Sequence, residues 1–287
     1  METKSASTIS FFSKEPLVCP VCESKFYKEE LRTGRGRLNA GELTEELRRL
    51  YLPSQKYGEV VPLIYTVTVC PQCYYAAYLT DFNEIPADML ERAAEMAGKR
   101  KSLVAPIFDS LDFTGPRGLK EGAASYLLAM SSYDFFPDEK SPVFKQGLSA
   151  LRAAWLFNTF HEKFPGENYD YLAKIFYRKA GFLYNLAVEY DGTGKQSLTE
   201  VGNLGPDLDK NYGYDGVLYM SALLEYYYGT EEDEEKRIKS LERARTTVAR
   251  IFGMGKASRE KPGSLLEKAK ELHAAIGEEI KRRTENE

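Results

Sequence analysis

The 287-residue chain has 39 basic and 43 acidic side chains, a formal charge of −4, 43% hydrophobic residues, four cysteines, two histidines and one tryptophan. That apolar content supports a core and excludes a chain disordered throughout, and the length fits one large domain or a small domain beside a larger one. The near-balance of charge gives no global pull toward nucleic acid or anionic lipid, and two histidines leave little for a His-ligated catalytic metal.

Residues 1–16 read as a polar tail, in which Ile9, Phe11 and Phe12 are the large apolar residues. The tail lacks the apolar run of a signal peptide, and no later segment approaches the roughly 18 uncharged apolar residues of a membrane helix. The expected compartment is the cytoplasm, where paired cysteines usually hold metal or do redox chemistry.

Residues 17–82 contain all four cysteines, as Cys19-Pro20-Val21-Cys22 and Cys70-Pro71-Gln72-Cys73, with 47 residues between the knuckles. Two intervening residues let both sulfurs of a knuckle face one point while backbone N–H groups turn toward them, which favours thiolates. Four thiolates form the tetrahedral soft-ligand set of one structural Zn²⁺ site, so Cys19, Cys22, Cys70 and Cys73 are the expected metal ligands. A catalytic zinc needs an open position that four thiolates do not leave. An iron–sulfur centre would use the same ligands, and a redox-responsive zinc switch would need an exposed, labile site. Between the knuckles, the alternation in Ile64-Tyr65-Thr66-Val67-Thr68-Val69 predicts a strand running into Cys70.

From about Asn83 the pattern is helical. A first helix is expected over Ala87 to Leu103, a break at Gly115-Pro116, then helices near 117–134, 142–163, 169–190, 213–229, 232–252 and 263–283. The 191–213 connection exceeds the usual helix–helix loop, so it is either functional or hides a short helix. Tyr126-x2-Ala129-x3-Tyr133 recurs as Tyr177-x2-Ala180-x3-Tyr184 and Tyr219-x2-Ala222-x3-Tyr226, at separations of 51 and 42 residues. Positions i, i+3 and i+7 share a helical face, so each copy is a Tyr–Ala–Tyr stripe whose small residue admits a neighbouring helix. With Gly181 after the middle Ala, and Ala153, Phe157 and Pro165 after the first copy, the pattern resembles degenerate tetratricopeptide repeats. Leu265, Leu266, Ala269, Leu272, Ile276 and Ile280 give the last helix an apolar stripe suited to a terminal cap.

Other motifs carry less. Gly192-Thr193-Gly194-Lys195 and Gly253-Met254-Gly255-Lys256 lack the earlier Gly and following Ser/Thr of a phosphate loop and read as helix-ending turns. Arg32, Arg35, Arg37, Arg48 and Arg49 are interleaved with glutamates, the composition of a solvated face. Glu231-Glu232-Asp233-Glu234-Glu235 suits a helix start, and Lys281-Arg282-Arg283 a helix end. His161 and His273 read as ordinary helical residues. Asp207, Asp209 and Asp215, with Asn203 and Asn211, do not match a calcium loop, and no catalytic constellation is found.

The run from Tyr65 through Cys70-Pro71-Gln72-Cys73 to Tyr75-Ala76 and Asp81-Phe82, with the upstream knuckle followed by Phe26, resembles the bacterial domain of unknown function 2225 family. The resemblance implies a split four-cysteine site joined to a tetratricopeptide-like helical half, and it carries over no activity. Members usually have Gly after the last cysteine where this chain has Tyr74, so a tighter or differently closed turn is expected there.

The sequence thus predicts a mainly α protein: a polar tail (1–16), a four-cysteine zinc ribbon-like module with short strands (17–82), a connecting helix and linker (83–116) and a tetratricopeptide-like helical domain (117–287). The expected function is a non-catalytic zinc-stabilised scaffold or adaptor for protein–protein interaction in a bacterial cytoplasm. Its partner would be a protein or peptide at a Tyr-lined helical groove, unless Tyr126, Tyr177 and Tyr219 are buried in helix packing. The alternatives are a nucleic-acid-associated zinc ribbon protein and the redox-responsive switch. No membrane association is expected.

Overall fold

Among the described residues of the computed structural model, every strand precedes residue 79 and every α-helix follows residue 89. Residues 9–34, 36–252 and 263–285 are described; residues 1–8 of the tail, Arg35 and the Gly253-to-Lys256 turn lie outside them. The chain divides into two compact units, one ending at Pro137 and one beginning at Asp138.

In the first unit, strands β1 (Ser10–Phe12) and β4 (Glu29–Leu31) form one antiparallel pair, and β2 (Leu17–Val18) and β3 (Lys25–Phe26) another. The pairs β5 (Asn39–Leu43) with β6 (Arg49–Leu52), and β7 (Val67–Val69) with β8 (Ala76–Tyr78), complete the set. Two-stranded ribbons this short are marginal alone and need something to pack on. Helix α3 (Leu119–Ser132) supplies it, following α1 (Leu90–Glu95) and α2 (Ala97–Val104).

The first Tyr–Ala–Tyr stripe faces this ribbon core. The Tyr126 hydroxyl donates to the Leu63 carbonyl at 2.7 Å. The Tyr133 hydroxyl accepts from the Tyr78 N–H at 3.2 Å and donates to Asp81 Oδ2 at 2.8 Å. Ser132 Oγ accepts the Ala76 N–H at 3.2 Å, so α3 satisfies donors that the edge of β8 would otherwise leave unpaired. Gly122 is required for this approach, since a Cβ there would come within 2.6 Å of Ile64 Cγ2.

Two expectations need correction in this unit. The strand over residues 64–69 is shortened to Val67–Val69, because Pro62 opens a 3₁₀ turn that runs to Tyr65. The helix expected over 87–103 is interrupted at Met96, giving α1 and α2 after a 3₁₀ turn at Ala87–Met89.

The second unit holds α4 (Pro142–Lys163), α5 (Tyr169–Thr193), α6 (Gly213–Tyr228), α7 (Glu234–Phe252) and α8 (Gly263–Thr284). Each packs on the next in chain order, and α8 also touches α6. Helix ends follow local chemistry: Pro142 occupies the first turn of α4, and Gly194 closes α5 with φ 74°. Close approaches use glycine. A Cβ on Gly147 would lie 3.2 Å from Leu183 Cβ, and one on Gly181 would lie 3.4 Å from Leu224 Cβ.

Tyr177, Ala180, Tyr184, Tyr219 and Ala222 are buried and Tyr226 is half-buried, so the stripes build cores here as in the first unit. The 191–213 connection contains a 3₁₀ turn at Leu198–Glu200. Buried Arg152 of α4 holds that connection, its Nε donating to the Pro206 carbonyl at 2.9 Å. In α8, Leu265, Ala269, Leu272 and Ile276 of the predicted stripe are buried, and Leu266 and Ile280 are half-buried. Among the described residues, no helix is long and apolar enough to cross a membrane.

Candidate metal centre

Each Cys-Pro-x-Cys knuckle forms the turn of a β-hairpin, β2–β3 for the first and β7–β8 for the second. The two turns close alike. The Glu23 N–H donates to the Cys19 carbonyl and the Tyr74 N–H to the Cys70 carbonyl, both at 2.9 Å. The residue after the second cysteine is left-handed in each, with φ 58° at Glu23 and 59° at Tyr74. The expectation of a tighter or different turn at Tyr74 is therefore corrected: Tyr74 adopts the conformation that Gly would. Its ring packs edge-on to Phe113 at 5.3 Å, with Lys101 Nζ 5.4 Å from its centroid, and these contacts offset the backbone cost.

Glu23 is exposed and has no such ring contacts, so it bears that cost uncompensated. A left-handed non-glycine residue costs about 1–2 kcal/mol, partly returned through the extra unfolded-state freedom of Gly. Glu23→Gly is expected to raise the thermal midpoint of the first unit by a few degrees. An unchanged or lower midpoint in a thermal melt would contradict this account of the turn.

The hairpins bring the four sulfurs within 4.8 Å of one another. Cys19 Sγ lies 3.7 Å from Cys73 Sγ, and Cys22 Sγ lies 3.5 Å from Cys70 Sγ. These separations far exceed the roughly 2.05 Å of a disulfide. A tetrahedral ion with bonds of about 2.3 Å places its sulfurs about 3.8 Å apart, so the donor set fits a tetrathiolate metal site. Cys19, Cys70 and Cys73 are buried and Cys22 is half-buried. Ser24 Oγ lies 3.1 Å from Cys22 Sγ and 3.2 Å from Cys70 Sγ, a contact that nothing in the sequence signals beyond its position two residues after the knuckle.

As free thiols, Cys19, Cys70 and Cys73 perturb one another strongly. Cys70 is pushed down, because the Cys19 and Cys73 side chains hydrogen-bond to it. Cys19 is pushed up by its bonds to Cys70 and Cys73 and by burial. Cys73 is eased down by its bond with Cys19, but the bond with Cys70 and burial carry it up to about 12. Backbone N–H groups of Cys22, Cys73 and Tyr75 aim at Cys19, Cys70 and Cys73 respectively, and each lowers its target. A metal must displace the protons on Cys19 and Cys73, so acid opposes its binding.

Around the sulfurs, Phe82 packs on Phe26 and Tyr75 at centroid distances of 5.9 and 5.1 Å. Among the described residues, the four cysteines are the one cluster of His, Cys, Asp or Glu able to hold a metal, and neither histidine joins it. His273 packs edge-on to Phe252 at 5.3 Å, and burial, followed by Arg245, lowers its pKa. Of the inter-knuckle arginines, Arg49 Nη1 donates to the Gly41 carbonyl at 2.9 Å and Arg32 lies 4.8 Å from the Phe11 ring centroid, while Arg35 lies outside the described residues. The acidic run does more than favour a helix start, since Glu231 and Glu234 pair with Arg283 of α8 at 2.7 and 2.9 Å. Sequence reasoning also missed four buried arginines, Arg100, Arg117, Arg152 and Arg237.

The profile of a family described as an uncharacterized protein conserved in bacteria (DUF2225) matches residues 12–276. An uncharacterized protein of Borreliella burgdorferi is 49% identical over 274 residues, covering 95% of this chain and 98% of its own. No solved structure matches.

Proposed function

The chain belongs to the DUF2225 family, and from that premise we propose that it is a non-catalytic, Zn²⁺-stabilised helical scaffold that binds another protein in the bacterial cytoplasm. Zinc is favoured because four thiolates in a closed tetrahedral set suit a soft, redox-inert ion and leave no position for substrate. The two hairpins hold that ion, and the array α4–α8, which we read as degenerate tetratricopeptide-type hairpins, presents the binding surface.

One observation carries the adaptor reading. Helix α5 packs against α4 and α6, yet Tyr171, Ile175 and Phe182 project from its remaining face. Phe182 is 67% exposed and Tyr171 63%. Spaced at i, i+4 and i+11 they form one stripe, flanked by exposed Lys174, Arg178 and Lys179. Large apolar side chains grouped on a solvent face favour a partner that covers them. The buried stripe tyrosines Tyr126, Tyr177 and Tyr219 do not form this surface.

Burying one such aromatic contributes roughly 1.5–3 kcal/mol, so Phe182→Asp is expected to weaken partner binding by ten- to hundredfold. The measurement is co-purification from the native host with wild type, Phe182→Asp and a distant control, Lys270→Glu. A protein retained by wild type and the control but lost with Phe182→Asp supports the reading. Equal recovery with all three, or recovery of no protein with any, overturns it.

A further inference from the structure

Arg100 of α2 is among the most deeply buried side chains, at 1% exposure. Its Nε donates to the Cys73 carbonyl at 3.0 Å and its Nη1 to the Ala93 carbonyl at 2.7 Å. Its Nη2 is buried with no hydrogen-bond partner. Both bonds go to neutral carbonyls, and among the described residues no carboxylate pairs with Arg100. An isolated guanidinium out of water is costly unless an opposite charge is close, and the unsatisfied Nη2 adds to that cost. The two carbonyls alone do not offset it.

The offset lies on the other side of the Cys73 peptide. Four thiolates and a divalent cation leave two net negative charges in a largely buried site.

We propose that Arg100 is the counter-charge of the tetrathiolate metal centre, a positioning residue whose charge, held beside Cys73 by its bond to the Cys73 carbonyl, raises metal affinity. The inference rests on the four cysteines binding a divalent ion. It gives residues 90–104 a role in the metal site, because the helix that reads as a linker delivers the charge. Arg100 acts through the Cys73 backbone and through space rather than through a bond to a sulfur.

The test uses the full chain loaded with Zn²⁺ and titrated with a chromophoric chelator at fixed pH, in wild type, Arg100→Lys and Arg100→Met. Arg100→Met keeps most of the volume and loses the charge; Arg100→Lys keeps the charge and loses the fork. At least tenfold weaker Zn²⁺ binding in Arg100→Met, with Arg100→Lys within about threefold of wild type, is the expected result. Affinity within twofold of wild type in Arg100→Met overturns the proposal and leaves Arg100 a packing clamp. Equal losses in both variants overturn it too, assigning the effect to the shape of the fork. If Arg100→Met does not fold, Arg100→Lys decides: near-normal uptake supports the role of charge, and a tenfold loss sinks it. Wild type that takes up no Zn²⁺ is a different result, the failure of the metal assignment itself.

Discussion

Chelation of the proposed metal, or Cys70→Ser, is expected to unfold the first unit while the second stays folded. The strands of the first unit are two to five residues long and pair only two by two. Ribbons of that size have little stability of their own, and the two knuckle hairpins are fastened to each other at the sulfurs. Structural zinc contributes on the order of 10–16 kcal/mol of apparent binding energy in small domains, comparable with or greater than the roughly 5–15 kcal/mol net stability of a domain. Helix α3 still offers an apolar face, yet its polar contacts to Leu63, Ala76, Tyr78 and Asp81 all require the ribbons to be in place.

The chain contains its own control. Its one tryptophan, Trp155, is fully buried in α4 of the second unit. Chelation should therefore abolish amide-exchange protection across Val67–Tyr78 while leaving the Trp155 emission maximum where it was. Protection that survives quantitative metal removal would show that α3 and the ribbons suffice without the ion.

The largest single-residue effect on the second unit is expected at Arg237. This side chain, 2% exposed, lies against the C-terminal end of α6. Its Nη1 and Nη2 each donate at 2.8 Å, to the carbonyls of Glu225 and Tyr226 in the last turn of α6, where the Glu225 carbonyl also accepts the Gly229 N–H at 3.0 Å. It also pairs with Glu225 at 3.2 Å and Glu231 at 2.9 Å, so it caps α6, complements its dipole and ties it to α7. Gly229 leaves room for it, because a Cβ there would collide with Arg237 Nη1.

Removing one member of a buried pair of this kind costs about 3–5 kcal/mol, since carbonyls and a carboxylate are left without their cation. Arg237→Met should shift the urea midpoint of the Trp155 transition downward by that equivalent. Arg237→Lys should recover part of it, having one charge and no fork. A loss under about 1 kcal/mol for Arg237→Met would mean that water satisfies the end of α6.

How much of this was legible depended on length and period. The helices at 142–163 and 263–283 could be bounded from sequence because long apolar stripes end at Pro, Gly or charge clusters, and the structure places them at Pro142–Lys163 and Gly263–Thr284. The pairs β2–β3 and β1–β4 could not, because two or three residues carry no measurable alternation. Residues 64–66 imitated a strand by composition, while Pro62 set the local backbone to a turn. At the metal centre the cysteines announced themselves by spacing. Arg100 and Arg237 did not, because a charged side chain within a charge-rich helix looks solvated until its neighbours are known.

The distance between the knuckles has a consequence for how this chain can change. With the sulfurs of both hairpins within 4.8 Å of one another, the segment from β4 through β6 leaves and returns between two nearly fixed points. The cost of closing a flexible excursion grows only with the logarithm of its length, about 0.6 kcal/mol per doubling. Among relatives the connection between β4 and β5 should therefore be a preferred place for insertions and deletions, whereas the spacing inside each knuckle has no such latitude. The same connection is where a tag or a reporter domain could be grafted without disturbing the sulfurs.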